Sequence, residues 1–95
     1  PEGWCWAGLE AIVDPVRSIT YGIVLTGEHD PSGVPTVRCG DVKSFKVEVE
    51  TLKKVNRHIE EQFRRTRLDG GEVLVAIRGT VGATAVAGPA LVGCN

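Results

Sequence analysis

The sequence predicts an α+β, β-rich domain: many short strands in a compact barrel-like or β-helix-like arrangement with one short amphipathic helix. Three observations carry this. Apolar runs rich in Val, Ile and Thr recur between turn formers at the roughly 8–12-residue spacing of β-rich folds. A single stretch, from Leu52 to Phe63, instead repeats its apolar residues with helical period. The 95 residues, 42% hydrophobic and 24% charged, have the composition of one globular domain spanning residues 1–95, which excludes a multidomain enzyme and a disordered or collagen-like chain.

The elements follow in order. Pro1-Glu2-Gly3-Trp4-Cys5-Trp6 is a turn that delivers two indoles for packing, and Leu9, Ile12 and Val13 read as a short buried element ended by Pro15. Tyr21 to Leu25 is a β-branched and aromatic run expected as a strand. Glu28 to Gly33 holds Asp30, Pro31, Ser32 and Gly33, the residues of a surface loop. A second strand is expected at Thr36 to Arg38 and a tight turn at Gly40-Asp41.

Phe45, Val47 and Val49 alternate with Lys46, Glu48 and Glu50, the clearest half-exposed strand in the chain. The helical stripe is Leu52, Val55, Ile59 and Phe63. With Asn56 as N-cap, Glu60 and Glu61 early and Arg64 and Arg65 late, the helix is expected over 57–65, with Thr51 as the other possible start. Asp69-Gly70-Gly71 turns the chain. Glu72 to Arg78 is too apolar for a one-sided strand and is expected at the centre of a sheet. Gly79 to Gly82 turns again, and Ala83 to Ala87 and Ala90 to Val92 complete the strands.

Eleven Lys and Arg against twelve Asp and Glu give a net charge of −1, so no global positive field draws the chain to DNA or an anionic membrane, and any basic function must be a local patch. Cys5, Cys39 and Cys94 are an odd number with no C-x-x-C pair, which fits three reduced thiols better than a disulfide framework or a zinc site. No signal peptide is visible, and the uncharged run from Gly79 to Asn95 is too short and too rich in Gly to span a bilayer. A cytoplasmic protein is expected.

Few constellations carry chemistry. Cys39 with His29 or His58 is the one Cys/His option for a nucleophile, and no local signature supports it. Asp30, Asp41, Glu28 and Glu72 stand in no paired-carboxylate or metal-ligand spacing. No enzyme, metal or cofactor is expected. Arg78-Gly79-Thr80-Val81-Gly82 lacks the phosphate-loop patterns, but an Arg beside backbone amides and a hydroxyl can hold a phosphate or a guanine edge, or else a structural salt bridge. Arg57, Arg64, Arg65 and Arg67 crowd the helix and its exit, either as a solvated face or as phosphate contacts. Tyr21 and Arg38 stand where a phenol and a guanidinium can reach a base.

The order of these landmarks resembles the target recognition domain of the specificity subunit of type I restriction-modification systems. The resemblance rests on P-E-G-W-C-W-x-x-L at the start, Tyr21-Gly22-Ile23, Gly33 to Val42, the stretch from Arg64 to Gly82, and Ala90 to Asn95. It covers essentially the whole chain and about half of such a domain; the family's long helices have no counterpart here. The resemblance implies recognition of double-stranded DNA without catalysis, beside separate modification (methyltransferase) and restriction subunits. On that reading Tyr21, Arg38, Arg78 and Thr80 face bases while Arg64, Arg65 and Arg67 contact phosphate. The alternative is a stand-alone or remnant protein-interaction module that has lost DNA binding; a small cysteine hydrolase is the remote third. The apolar segment Val81 to Val92 lacks the strands that would cover it, so a homo-oligomer, a dimer through these C-terminal strands, is expected.

Overall fold

A computed structural model describes residues 2–95; Pro1, part of the expected opening turn, lies outside the described residues. The fold is α+β and β-rich, with six short strands and one short helix among the described residues. Strands β1 (Val34–Thr36) and β4 (Lys53–Val55) pair antiparallel, as do β2 (Val42–Lys43) with β3 (Lys46–Val47) and β5 (Val73–Val75) with β6 (Thr84–Val86). These are three separate two-stranded ladders and not the expected compact barrel-like or β-helix-like arrangement, because strands of two or three residues cannot supply the continuous pairing that a barrel or a stacked coil demands. A parallel bridge from Phe45 to Ala85 joins the β2–β3 hairpin to β6.

Helix α1 (Arg57–Glu61) starts where expected, with the Asn56 side chain accepting from the His58 amide at 2.8 Å. It ends early: the chain tightens into a 3-10 turn at Arg64–Thr66, so the helical stripe extends past the regular helix. The loop Glu28 to Gly33 is present as expected, and its Asp30 N–H and His29 Nδ1 bond the Lys54 carbonyl and amide along the outer edge of β4.

Two small core clusters hold the fold. Leu52, Leu68, Ala87, Leu91 and Cys94 form one; Val42, Ala76 and Ala85 form the other, and the half-buried Val37, Val47 and Leu74 pack on both. The cysteines are free thiols, with Cys94 buried in the first cluster and Cys5 exposed. The molecule measures 53 × 27 × 24 Å, longer than a 95-residue globule.

Several expectations fall along that length. Residues 2–29 hold one 3-10 turn, Leu9–Ala11, and no buried residue, so Trp4 and Trp6 do not pack and Leu9 and Ile12 stay exposed. Tyr21 to Leu25 is not a strand. Its backbone makes no bond to another backbone group among the described residues, and β-forming side chains make a strand only where a neighbour offers a ladder. This stretch is tied down by polar contacts instead: Arg17 to Asp69 and Glu72, and Lys53 Nζ to Thr26 and the Gly27 carbonyl. The clearest expected strand shrinks to Lys46–Val47, since Ser44 and Phe45 both take positive φ to turn the β2–β3 hairpin, and Val49–Thr51 winds into a 3-10 turn.

Glu72 to Arg78 is not central. Only Val73–Val75 is strand, at an edge, with Val73, Val75 and Ile77 exposed. Ala90 to Val92 is not a strand either, because Pro89 opens a 3-10 turn through Leu91. Among the described residues no helix is long and apolar enough to cross a membrane.

Candidate nucleic-acid interface

The −1 net charge is unevenly spread. Glu2, Glu10, Asp14 and Glu28 face only Arg17 in the extended first third, so residues 30–95 carry ten cations against eight carboxylates. Most of those cations are engaged. Lys43, Arg65 and Arg78 make neither a salt bridge nor a side-chain hydrogen bond among the described residues.

The second core cluster anchors the elements that carry three of the expected site residues, Arg38, Arg78 and Thr80. Cys39 and Ala83 pack on Val42, Ala76 and Ala85, which anchors both the 3-10 turn Cys39–Asp41 and the β5–β6 hairpin end. Arg38 precedes that turn. One Asp41 carboxylate oxygen accepts from the Arg38 amide at 2.8 Å and from Nε at 3.3 Å, leaving both terminal guanidinium nitrogens without a partner among the described residues. Arg78 and Thr80 lie in the hairpin loop, closed by Ala76 N–H to Ala83 O and Gly82 N–H to Ala76 O, each at 2.8 Å. Gly79 and Gly82 take φ of +68° and +89°, which few other residues would tolerate.

Sequence reasoning missed the residues between them. In the β2–β3 hairpin Lys43 and Lys46 are directly opposed, and both are exposed. Like charges facing across a ladder repel. The signal was available in Lys43-Ser44-Phe45-Lys46, but the alternation of Phe45 to Glu50 concealed a turn there.

The helix exit forms a second group. His58, Glu61, Gln62, Arg64 and Arg65 line a shallow open hollow. Arg64 Nη1 reaches Glu61 at 3.5 Å, while Arg65 is free. Arg67 is committed: it bonds Glu60 through Nε and Nη2 and Glu61 through Nη2. These bonds hold the Glu60 carboxyl below its ordinary range against the opposing effect of burial, and the two carboxylates raise Arg67 further above an already high value. Tyr21 joins neither group; it stands 71% exposed on the extended segment. No group of three or more His, Cys, Asp or Glu that could hold a metal occurs among the described residues.

No family model and no solved structure matches the chain. It is similar to the type I restriction enzyme EcoBI specificity subunit of Escherichia coli, 29% identical over 82 residues. The alignment covers 86% of this chain and 17% of that protein, so the chain spans about a sixth of the relative's length. This modest identity supports a relation to the family that the order of sequence landmarks resembles.

Proposed function

We propose that the chain is a non-catalytic DNA-recognition module of a type I restriction-modification specificity subunit, acting on double-stranded DNA in the cytoplasm beside modification and restriction subunits. The observation that carries this reading is the similarity to the EcoBI specificity subunit along most of the chain. The terminal nitrogens of Arg38 and the guanidinium of Arg78, without partners among the described residues, support it, since such a fork matches a guanine edge or a phosphate. Thr80 and Tyr21 add hydroxyls at exposed positions. Arg64 and Arg65 contact phosphate at the helix exit, and Arg67, with Nη1 left over, chiefly fixes the turn that presents them.

The test is an anisotropy titration of the chain with labelled duplex at low and high salt. Affinity that falls steeply with salt is expected, because neutralised phosphates release counterions. Absence of duplex binding at low salt would end this reading in favour of the protein-interaction module.

We further propose that the chain self-associates, through β5 and not through Val81 to Val92. Strand β6 is already flanked by β5 and by the Phe45 bridge. Glu72 and Ala76 bond across to Ala87 and Ala83, so the alternation of an antiparallel ladder turns the amides and carbonyls of Val73 and Val75 away from β6, where they have no partner among the described residues. The outer edge of β4 is covered by His29 and Asp30, and β1 is flanked by Asn95. Among the described residues strand β5 has no such cover, and Val73-Leu74-Val75 carries neither the charges nor the proline that guard a natural edge.

A further inference from the structure

We infer that the β2–β3 hairpin is itself a nucleic-acid contact, with Phe45 presented to stack on or wedge between bases and Lys43 and Lys46 straddling the phosphates beside it. The inference rests on the DNA reading above and adds to it an element that neither the arginines nor the sequence landmarks indicate.

Three observations converge on this hairpin. Ser44 and Phe45 have φ of +49° and +66°, the backbone signature of a type I′ turn, a conformation that Asn and Gly adopt readily and a bulky aromatic does not. The strained residue gains no burial in return, for Phe45 is 81% exposed. A side chain that costs stability in its backbone and recovers none by packing is explained by what it meets in a complex. The flanking Lys43 and Lys46 oppose each other across the ladder, a repulsion that an anion lying over the hairpin relieves. Among the described residues the one carboxylate within salt-bridge reach of the pair is Glu48, 3.6 Å from Lys46. The hairpin stands on the same core cluster as the Arg38 turn and the Arg78 loop, because Val42 and Val47 pack there. An exposed aromatic between cations is the combination that binds bases and backbone together, by stacking or by wedging into a base step.

Paired measurements on Phe45→Gly, Phe45→Ala and Lys43→Ala test this. Gly relieves the positive φ, so Phe45→Gly is expected to raise the denaturation midpoint while weakening duplex binding about tenfold or more, the loss a stacked aromatic represents. Phe45→Ala should weaken binding comparably without that gain in stability. Lys43→Ala should lower the slope of affinity against salt by about one phosphate contact. As a readout independent of affinity, Phe45→Trp with Trp4→Phe and Trp6→Phe should show quenched emission on adding duplex. If the natural chain binds duplex but Phe45→Gly and Phe45→Ala bind equally well, the hairpin assignment is overturned and the DNA reading stands. If the natural chain binds no duplex, both fall.

Discussion

Arg67 donates through Nη2 to Glu60 Oε2 at 2.8 Å, closing the turn between the end of α1 and the strand-like exit at Leu68. Glu60 is only 2% exposed. The same carboxylate accepts from Asn95 Nδ2 at 3.2 Å, and Asn95 in turn bonds the Phe63 carbonyl and the Thr66 hydroxyl, so one network ties the helix exit to the β1 edge. Removing one partner of such a pair strands the other charge. Arg67→Ala is therefore expected to lower the thermal midpoint markedly and Arg65→Ala to leave it unchanged, as measured by circular dichroism.

The carboxylates of this fold set its response to acid. Hydrogen bonds from Arg67 hold Glu60 below its ordinary value of 4.5, against burial. Burial pushes Glu72 up, but the amides of Asp69, Glu72 and Gly70 together with Arg17 outweigh it and the net shift is downward. The Ser32 hydroxyl and amide lower Asp30. A carboxyl depressed in the folded state contributes stability that is present above its unfolded value and lost as pH falls through the folded value. The urea midpoint should thus hold steady from neutral pH to about 5 and drop below about 4.5, with a shallower drop in Glu60→Gln.

Local chemistry was legible in the sequence; tertiary position was not. Asn56 capped its helix because the cap is decided within three residues, and Asp30 to Gly33 turned for the same reason. Tyr21 to Leu25 and Glu72 to Arg78 have strand composition, yet whether such a run forms a strand, and in the middle or at an edge, depends on neighbours that composition does not name. The pairing of Arg67 with both Glu60 and Glu61 is not legible in the sequence, since nothing in the spacing shows that the two carboxylates turn back toward it. Alternation makes Phe45 the start of a strand, because it cannot distinguish a strand residue from a turn residue that happens to be apolar.

Gly33 has a steric role that its neighbours do not share. A Cβ there would overlap the Val55 carbonyl group, where β1 meets the end of β4, and backbone cannot yield as a side-chain tip can. Gly33→Ala is expected to destabilise by about 1–3 kcal/mol, the usual cost of overpacking. Gly40→Ala, with nothing within 4 Å of its Cβ, should fall within about 0.5 kcal/mol of the natural chain in chemical denaturation.

The open edge of β5 makes self-association testable without reference to DNA. Sedimentation equilibrium at micromolar concentration should show a dimer, and Val75→Pro, which removes an outward amide, should return a monomer. Val86→Lys changes the exposed face but not that edge and should leave the dimer intact. Concentration-dependent protection of the Val73 and Val75 amides in hydrogen exchange would identify the edge directly; a monomer of about 10 kDa would exclude the pairing.

Base reading and phosphate binding separate by their dependence on sequence and salt, which assigns the two arginine groups independently. Arg78 has no carboxylate partner among the described residues and stands with Thr80 in a loop whose backbone is shaped by Gly79 and Gly82. If it reads a base, Arg78→Ala should cost about 1–3 kcal/mol on a cognate duplex and almost nothing on a random one. Arg38 is held by Asp41 and should behave alike, with Asp41→Asn lowering specificity by loosening it. Arg64→Ala and Arg65→Ala should instead weaken all duplexes equally and each reduce the salt slope by about one. Arg67→Ala provides the control, since its bonds run to Glu60 and Glu61: any loss of binding should track its loss of fold and vanish at temperatures where the variant is fully folded. A sequence-selective loss in Arg64→Ala or Arg65→Ala, or a uniform loss in Arg78→Ala, would exchange the roles of the two groups.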